Sequence, residues 1–160
     1  MQTMWLPFLA VLLVAWAFPG PGVAQGPPGA ATAPVLATQQ LGSDIVVEIT
    51  EFRRKGNTLT VQMRFRNNGT EGKGLDFWFR SGTEIYLFDP QGRKKYLVLK
   101  ADDNSYIANM MREVYWQPNI GPGRTVGAWM KFPAPPADVK QIAFVFCQLR
   151  PFDDLPIQDD

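Results

Sequence analysis

Residues 58 to 66 read Thr-Leu-Thr-Val-Gln-Met-Arg-Phe-Arg, an alternation of polar and apolar side chains without a slip. Successive side chains of an extended strand point to opposite faces. Leu59, Val61, Met63 and Phe65 therefore form a dry face, and Thr60, Gln62, Arg64 and Arg66 a wet one. Ile45, Val47 and Ile49 repeat the period just before, in a strand reaching to about Phe52, and Lys55-Gly56-Asn57 reads as the turn between the two. These two strands set the fold class, because a half-wet strand belongs to an antiparallel sheet with one covered face.

The rest of the chain follows in short extended pieces between turn signals. Asn67-Asn68-Gly69 closes the alternating strand, and Gly72 and Gly74 lengthen a loop. Strands are expected over Leu75–Arg80, Thr83–Phe88, Lys94–Leu99, Thr125–Phe132 and Gln141–Cys147, with a short one through Phe152–Ile157. Asp89-Pro90-Gln91-Gly92 is a tight turn, with proline preset at its second position and glycine at its fourth. Ile142, Phe144 and Phe146 share one face. No stretch carries a useful apolar period of 3.6 residues, so the expectation is an antiparallel sandwich of seven to eight strands.

The order of these turns and strands resembles a known group. The residues are Asn57-x-Leu59-x-Val61, Asn67-Asn68-Gly69, Tyr86-Leu87-Phe88-Asp89-x-x-Gly92, and Pro122-Gly123 before a strand ending Phe132-Pro133. They are similar to the immunoglobulin-like domains of exported bacterial proteins grouped with the mycobacterial immunoprotective extracellular antigen. The likeness covers roughly Asp44 to Ile157. It implies an immunoglobulin-like β-sandwich and an extracytoplasmic setting, and it carries over no catalytic residue. Lipoprotein members of the group have a lipidated cysteine after the leader, which this chain lacks.

The N-terminal region agrees with export. Trp5 to Phe18 is almost wholly apolar, and as a helix it would span about 21 Å, short of the ~30 Å hydrocarbon core. Pro19-Gly20-Pro21-Gly22 breaks any helix there. Gly22 and Ala24 stand at signal-peptidase spacing, which places a signal peptide over residues 1–24, with cleavage before Gln25. The rival is an uncleaved anchor, since Met1 to Met4 carry no Lys or Arg. Residues 25–43, rich in Gly, Pro and Ala, read as a flexible linker. Residues 44–160 form the folded domain.

Composition narrows the chemistry. The chain has no histidine, which removes the commonest general base and metal ligand. No Gly-x-Ser-x-Gly motif is present, so hydrolase chemistry is disfavoured. The single cysteine, Cys147, makes no intrachain disulfide and is expected to be buried in the last strong strand. A net charge of +1 points to no nucleic acid partner and no anionic membrane. No cofactor or metal site is expected. Asp102-Asp103-Asn104 reads as a solvated turn, since adjacent ligands cannot all point inward. The paired acids Glu84 and Glu113, and the sulfurs of Met110, Met111 and Met130, are weak candidates for glycosidase and copper chemistry.

One region is a candidate for binding. Lys100 to Asn119 is the longest irregular stretch, and long loops on a rigid sandwich are where binding surfaces sit. Its candidate binding residues are Tyr106, Arg112, Tyr115 and Trp116, of which the three aromatic rings would stack on a sugar or clamp a peptide. The favoured reading of the same rings is that they fold back as a lid over an open end of the sandwich. Arg53-Arg54-Lys55 and Arg93-Lys94-Lys95 lie at hairpin turns and read as solvated charge, and Trp78 and Trp129 as packing within strands. The expected function is an exported, non-catalytic interaction module that binds a protein or cell-envelope component, in the periplasm or at the cell surface. The alternative is a carbohydrate- or peptidoglycan-binding module.

Overall fold

The computed structural model describes residues 34–79, 83–111 and 115–160. The expected signal peptide, the linker up to residue 33, and the candidate residues Arg112 and Glu113 lie outside the described residues. The strands in chain order are β1 (Ala37–Leu41), β2 (Ile45–Lys55), β3 (Thr58–Asn67), β4 (Lys73–Gly74), β5 (Phe77–Trp78), β6 (Ile85–Asp89) and β7 (Lys94–Leu97). They continue with β8 (Tyr115–Trp116), β9 (Asn119–Ile120), β10 (Thr125–Pro133), β11 (Gln141–Phe146), β12 (Phe152–Pro156) and β13 (Gln158–Asp159). The fold is all-β, with no helix among the described residues.

Two main sheets carry the architecture. The first runs β1-β2-β3-β10, with β13 added in parallel beside the end of β2. The second runs β12-β11-β6-β7. All pairings within these two orders are antiparallel. Short ladders join β4 to β9 and β5 to β8. The inner faces share one core, in which Phe52 meets Phe144 at 6.4 Å between ring centroids, Phe132 meets Phe144 at 6.1 Å and Phe65 meets Phe146 at 6.0 Å. Antiparallel sheets sharing a core in this way are consistent with a β-sandwich.

The alternation of β3 is realised as read, with Leu59, Val61, Met63 and Phe65 buried. β2 runs further than Phe52 because its alternation is reset. A bulge between Ile49 and Glu51 takes up Thr50, so Phe52 and Arg54 return to the inner face. The Asp89 turn also forms as its sequence dictates, with Asp89 Oδ1 accepting from the backbone N–H of Gln91 and of Gly92, both at 3.0 Å.

Several expectations are corrected. Part of the expected linker is ordered strand: β1 pairs Ala37 to Leu41 against Ile49 to Ile45. Its residues alternate between half-buried and exposed, a polar edge pattern that turn-rich flanks conceal. The strand expected over Leu75–Arg80 shrinks to Phe77–Trp78. Among the described residues thirteen strand segments are present, and five of these are two-residue pairings too short to register as alternation. Trp78 and Trp129 are 49% and 39% exposed, so neither is core. Trp116, one of the loop's candidate rings, takes an inner position, as the lid reading has it.

Candidate functional site

The described part of the loop after β7, through residue 109, is tied down rather than free. Its backbone follows the outer edge of β10: Leu99 N–H donates to Lys131 O at 2.8 Å, Lys131 N–H to Ile107 O at 3.0 Å and Asn109 N–H to Trp129 O at 3.2 Å. Asn109 Oδ1 accepts from Trp129 N–H at 2.8 Å, closing an edge that would otherwise offer ladder groups to another strand. Met110 and Met111 are buried core residues, as Met63 and Met130 are, which accounts for the methionines without copper. Asp103 Oδ1 accepts from Ser105 N–H at 3.0 Å within an exposed turn. Among the described residues no group of acidic or cysteine side chains is placed to hold a metal ion.

The aromatic candidates do not gather into one platform. Trp116 is half-buried and stacks on Phe77 at 5.6 Å with 22° between planes, and its edge meets Phe65 at 5.4 Å. Tyr106 is half-buried against the core, with Lys100 Nζ 4.7 Å from its ring centroid. Tyr115, next to Trp116 on β8, necessarily points the other way and is exposed. Its register partner is Trp78, and the two rings stand 5.6 Å apart at 52°. The exposed aromatic pair is therefore Trp78 with Tyr115. The sequence signal for it was present, since each pair of neighbours, Phe77-Trp78 and Tyr115-Trp116, must split between inside and outside.

Beside Trp78 lies an open hollow of about 390 Å³ bordered by Glu84, Cys147 and Gln148. Gln148 is fixed there by its Nε2, which donates to Asp76 O at 2.8 Å. Cys147 is half-buried just beyond β11, in the left-handed region at φ 48°, and its N–H donates to Glu84 O at 2.9 Å. Burial, and next the charge of Glu84, push its thiol up to about 12, so it stays protonated and unreactive near neutrality.

The two sheets turn unlike faces to solvent. On the first, Glu48 sits almost fully buried under its neighbours, where Arg64 Nε and Arg66 Nη2 both donate to its carboxylate. Gln62 donates to Glu51, and Arg53 adds an ion pair to Glu51 at 3.6 Å. Arg64 and Arg66 of β3 thus share one carboxylate on β2, and Arg53 pairs within β2. The outer face of the second sheet is apolar. Leu97, Tyr86 and Val145 form one row across β7, β6 and β11, and Lys95, Phe88 and Ala143 the next. Phe88 and Leu97 are 39% and 42% exposed. Next to Phe88 and Ala143 lies a hollow of about 550 Å³ bordered by Asp138, Lys140, Asp153 and Asp154. The signal for this face was the run Ile85-Tyr86-Leu87-Phe88, apolar at both parities of the strand, which fits no half-wet strand.

Within the basic triplet, Arg53 and Lys55 are exposed as expected, whereas Arg54 is buried. Arg53 reaches Asp160 at 2.7 Å and Lys55 reaches it at 3.2 Å. Arg54 is buried, donating to Asp159 Oδ1 at 2.6 Å and to the carbonyls of Pro135, Pro136, Ala137 and Val139 at 3.0, 2.5, 3.3 and 3.3 Å. Lys140 also pairs with Asp159, at 3.0 Å. Hydrogen bonds from Arg54 and then Lys140 hold the Asp159 carboxyl down at about 2. This corner closes the Pro-rich connection and the C-terminal strand onto β2. Comparison of the chain with family models, curated proteins and solved structures returned no match in any of the three.

Proposed function

We propose that the chain is an exported, non-catalytic interaction module built on an immunoglobulin-like sandwich, working in the periplasm or at the cell surface. The observation that carries this reading is the apolar outer face of the second sheet. Soluble monomers rarely leave large contiguous apolar surface open, and such patches mark docking sites. Tyr86, Phe88, Leu97, Ala143 and Val145 lie contiguously on neighbouring strands, with Phe88 and Leu97 exposed, while the opposite outer face carries the ion pairs of Glu48 with Arg64 and Arg66. Export is supported by the apolar run Trp5–Phe18 and the small residues before Gln25. Site-specific photo-crosslinking in the native host tests the reading. A crosslinker replacing Leu97 is expected to give a defined adduct, and one replacing Trp129 on the opposite face is not. Equal adducts from both positions, or none from either, would refute it.

A second reading, a glycan-binding module, draws on one specific observation. Trp78 and Tyr115 are exposed together beside a hollow bordered by the polar side chains of Glu84 and Gln148. Ring faces beside fixed polar groups suit a pyranose. Cosedimentation with insoluble cell-wall glycan, lost in a Trp78→Ala/Tyr115→Ala variant, would establish it. Equal sedimentation of variant and parent removes it.

A further inference from the structure

The outer face of the second sheet changes character from edge to edge. β12, at one edge, brings Asp153 and Asp154, both exposed. With Asp138 they border the hollow beside Phe88 and Ala143. Lys140 lies on the same hollow, but its ammonium is taken by Asp159 at 3.0 Å, so this rim keeps an acidic surplus. The two central strands, β11 and β6, contribute Ala143, Val145, Tyr86 and Phe88. β7, at the other edge, brings Lys95 and Leu97, with Arg93 and Lys94 adjoining. Lys95 belongs to this face, because its Nζ lies 3.6 Å from the centroid of the Tyr86 ring.

Strands in a sheet lie about 4.8 Å apart, so the acidic and basic rims are separated by about 14 Å across the apolar centre. This asymmetry decides what fits. Rotate a second copy about an axis parallel to the strands, between β11 and β6, and its strand order is reversed over the first. Acidic rim then lies over basic rim twice, and apolar centre over apolar centre. An axis across the strands would instead set acid on acid and base on base. A two-fold contact needs a patch complementary to itself, and under the first rotation this face is one.

We propose that this face is an interface with a second copy of the chain, related by a two-fold axis parallel to the strands. Asp153 and Asp154 of each copy lie opposite Lys95 of the other. The inference rests on the interaction-module reading and assigns its partner. The face spans four strands of about five residues, roughly 300 Å² in projection per copy, which is small beside stable interfaces burying about 1,200–2,000 Å². The dimer is therefore transient, held by the apolar centre and oriented by its rims.

Sedimentation equilibrium tests this on protein expressed from the full-length sequence, in the form the host leaves it. The mass is expected to move from one copy toward two as concentration rises to about 1 mM, and association should weaken with added salt. Lys95→Glu alone, and Asp153→Lys/Asp154→Asn alone, should each weaken it by about tenfold or more. An equimolar mixture of the two variants should recover it as a mixed dimer. Asparagine is used at position 154 because Asp154 lies at φ 52°, a conformation Asn tolerates. Unchanged thermal midpoints check that the variants fold.

A single-copy mass throughout, no recovery in the mixture, or association untouched by Leu97→Arg would overturn the proposal. A single-copy mass with a Leu97 crosslink to a different protein overturns self-association and leaves the interaction module standing. Absence of both removes the two readings together.

Discussion

Replacing Arg54 with Met keeps most of the apolar stem and removes the guanidinium that joins three parts of the chain. The side chain is 8% exposed and donates to one carboxylate and four backbone carbonyls. Summing five bonds would overstate the loss, because water reaches the carbonyls of the exposed Pro136 and Ala137 once the guanidinium is gone. What remains is a buried acceptor at Pro135, worth about 1–3 kcal/mol unsatisfied, and the lost charge-assisted bond to Asp159, worth about 1.5–3 kcal/mol. Together these span about 2.5–6 kcal/mol, and the middle of that span, about 3–4 kcal/mol, falls in the range found when one partner of a buried ion pair is removed. For a domain of this size about 4 °C accompanies each kcal/mol, so the thermal midpoint should fall by about 12–16 °C. Arg54→Lys keeps a charge near Asp159 but loses the planar fork, and should lose about half as much. Urea unfolding followed by tryptophan fluorescence gives the free energy, and differential scanning calorimetry the midpoint. A loss below about 1 kcal/mol for Arg54→Met would refute the reasoning, since it would mean that solvent serves these carbonyls as well as the guanidinium does.

Asn67 is fully buried, donating from Nδ2 to Glu71 O at 2.7 Å and to Ile120 O at 2.8 Å while accepting from Gly69 N–H at 2.9 Å. Asn67→Ala should cost about 2–4 kcal/mol in urea unfolding, and Asn67→Asp more, because a carboxylate would then face two carbonyl oxygens. Asp159 and Asp160 are both held below the ordinary carboxylate range, Asp159 by Arg54 and Lys140 and Asp160 by Arg53 and Lys55. A lowered native value means that the unfolded chain binds the proton first, so this contribution is full above about pH 4 and is lost as pH falls toward about 2. Asp159→Asn should flatten thermal stability across that window, and an unchanged pH profile would contradict the assignment. Cys147, with its thiol pushed up to about 12, should react slowly with a thiol-specific disulfide reagent at pH 8 when native and rapidly in denaturant. Fast native labelling would show that burial does not control it.

The sequence was most legible where one period held without interruption. β3, the Asp89 turn and the inner residues Ile142, Phe144 and Phe146 all stand where alternation and turn chemistry put them. Legibility failed where neighbours of like polarity left the parity undetermined. Phe77-Trp78 and Tyr115-Trp116 each send one ring inward, and only the partner strand fixes which. It failed again at Arg54, whose charge suggested solvent although its parity, once the bulge at Thr50 is counted, places it inside. β1 and β13 were hidden because an edge strand needs few apolar residues and takes its order from its neighbour.

Net charge proved a poor guide to partners because it averages over unlike surfaces. The +1 of the whole chain conceals a wet face where Arg64 and Arg66 share one carboxylate, and a corner where Arg53, Arg54 and Lys55 are matched by Asp159 and Asp160. On the second sheet opposite charges stand at opposite edges, with apolar side chains between them. Separation of that kind contributes nothing to the total yet gives the face a direction, and a face with a direction selects the orientation of whatever docks on it. The total charge is silent on this arrangement, whereas the distribution of the same charges gives the outer face of the second sheet its direction.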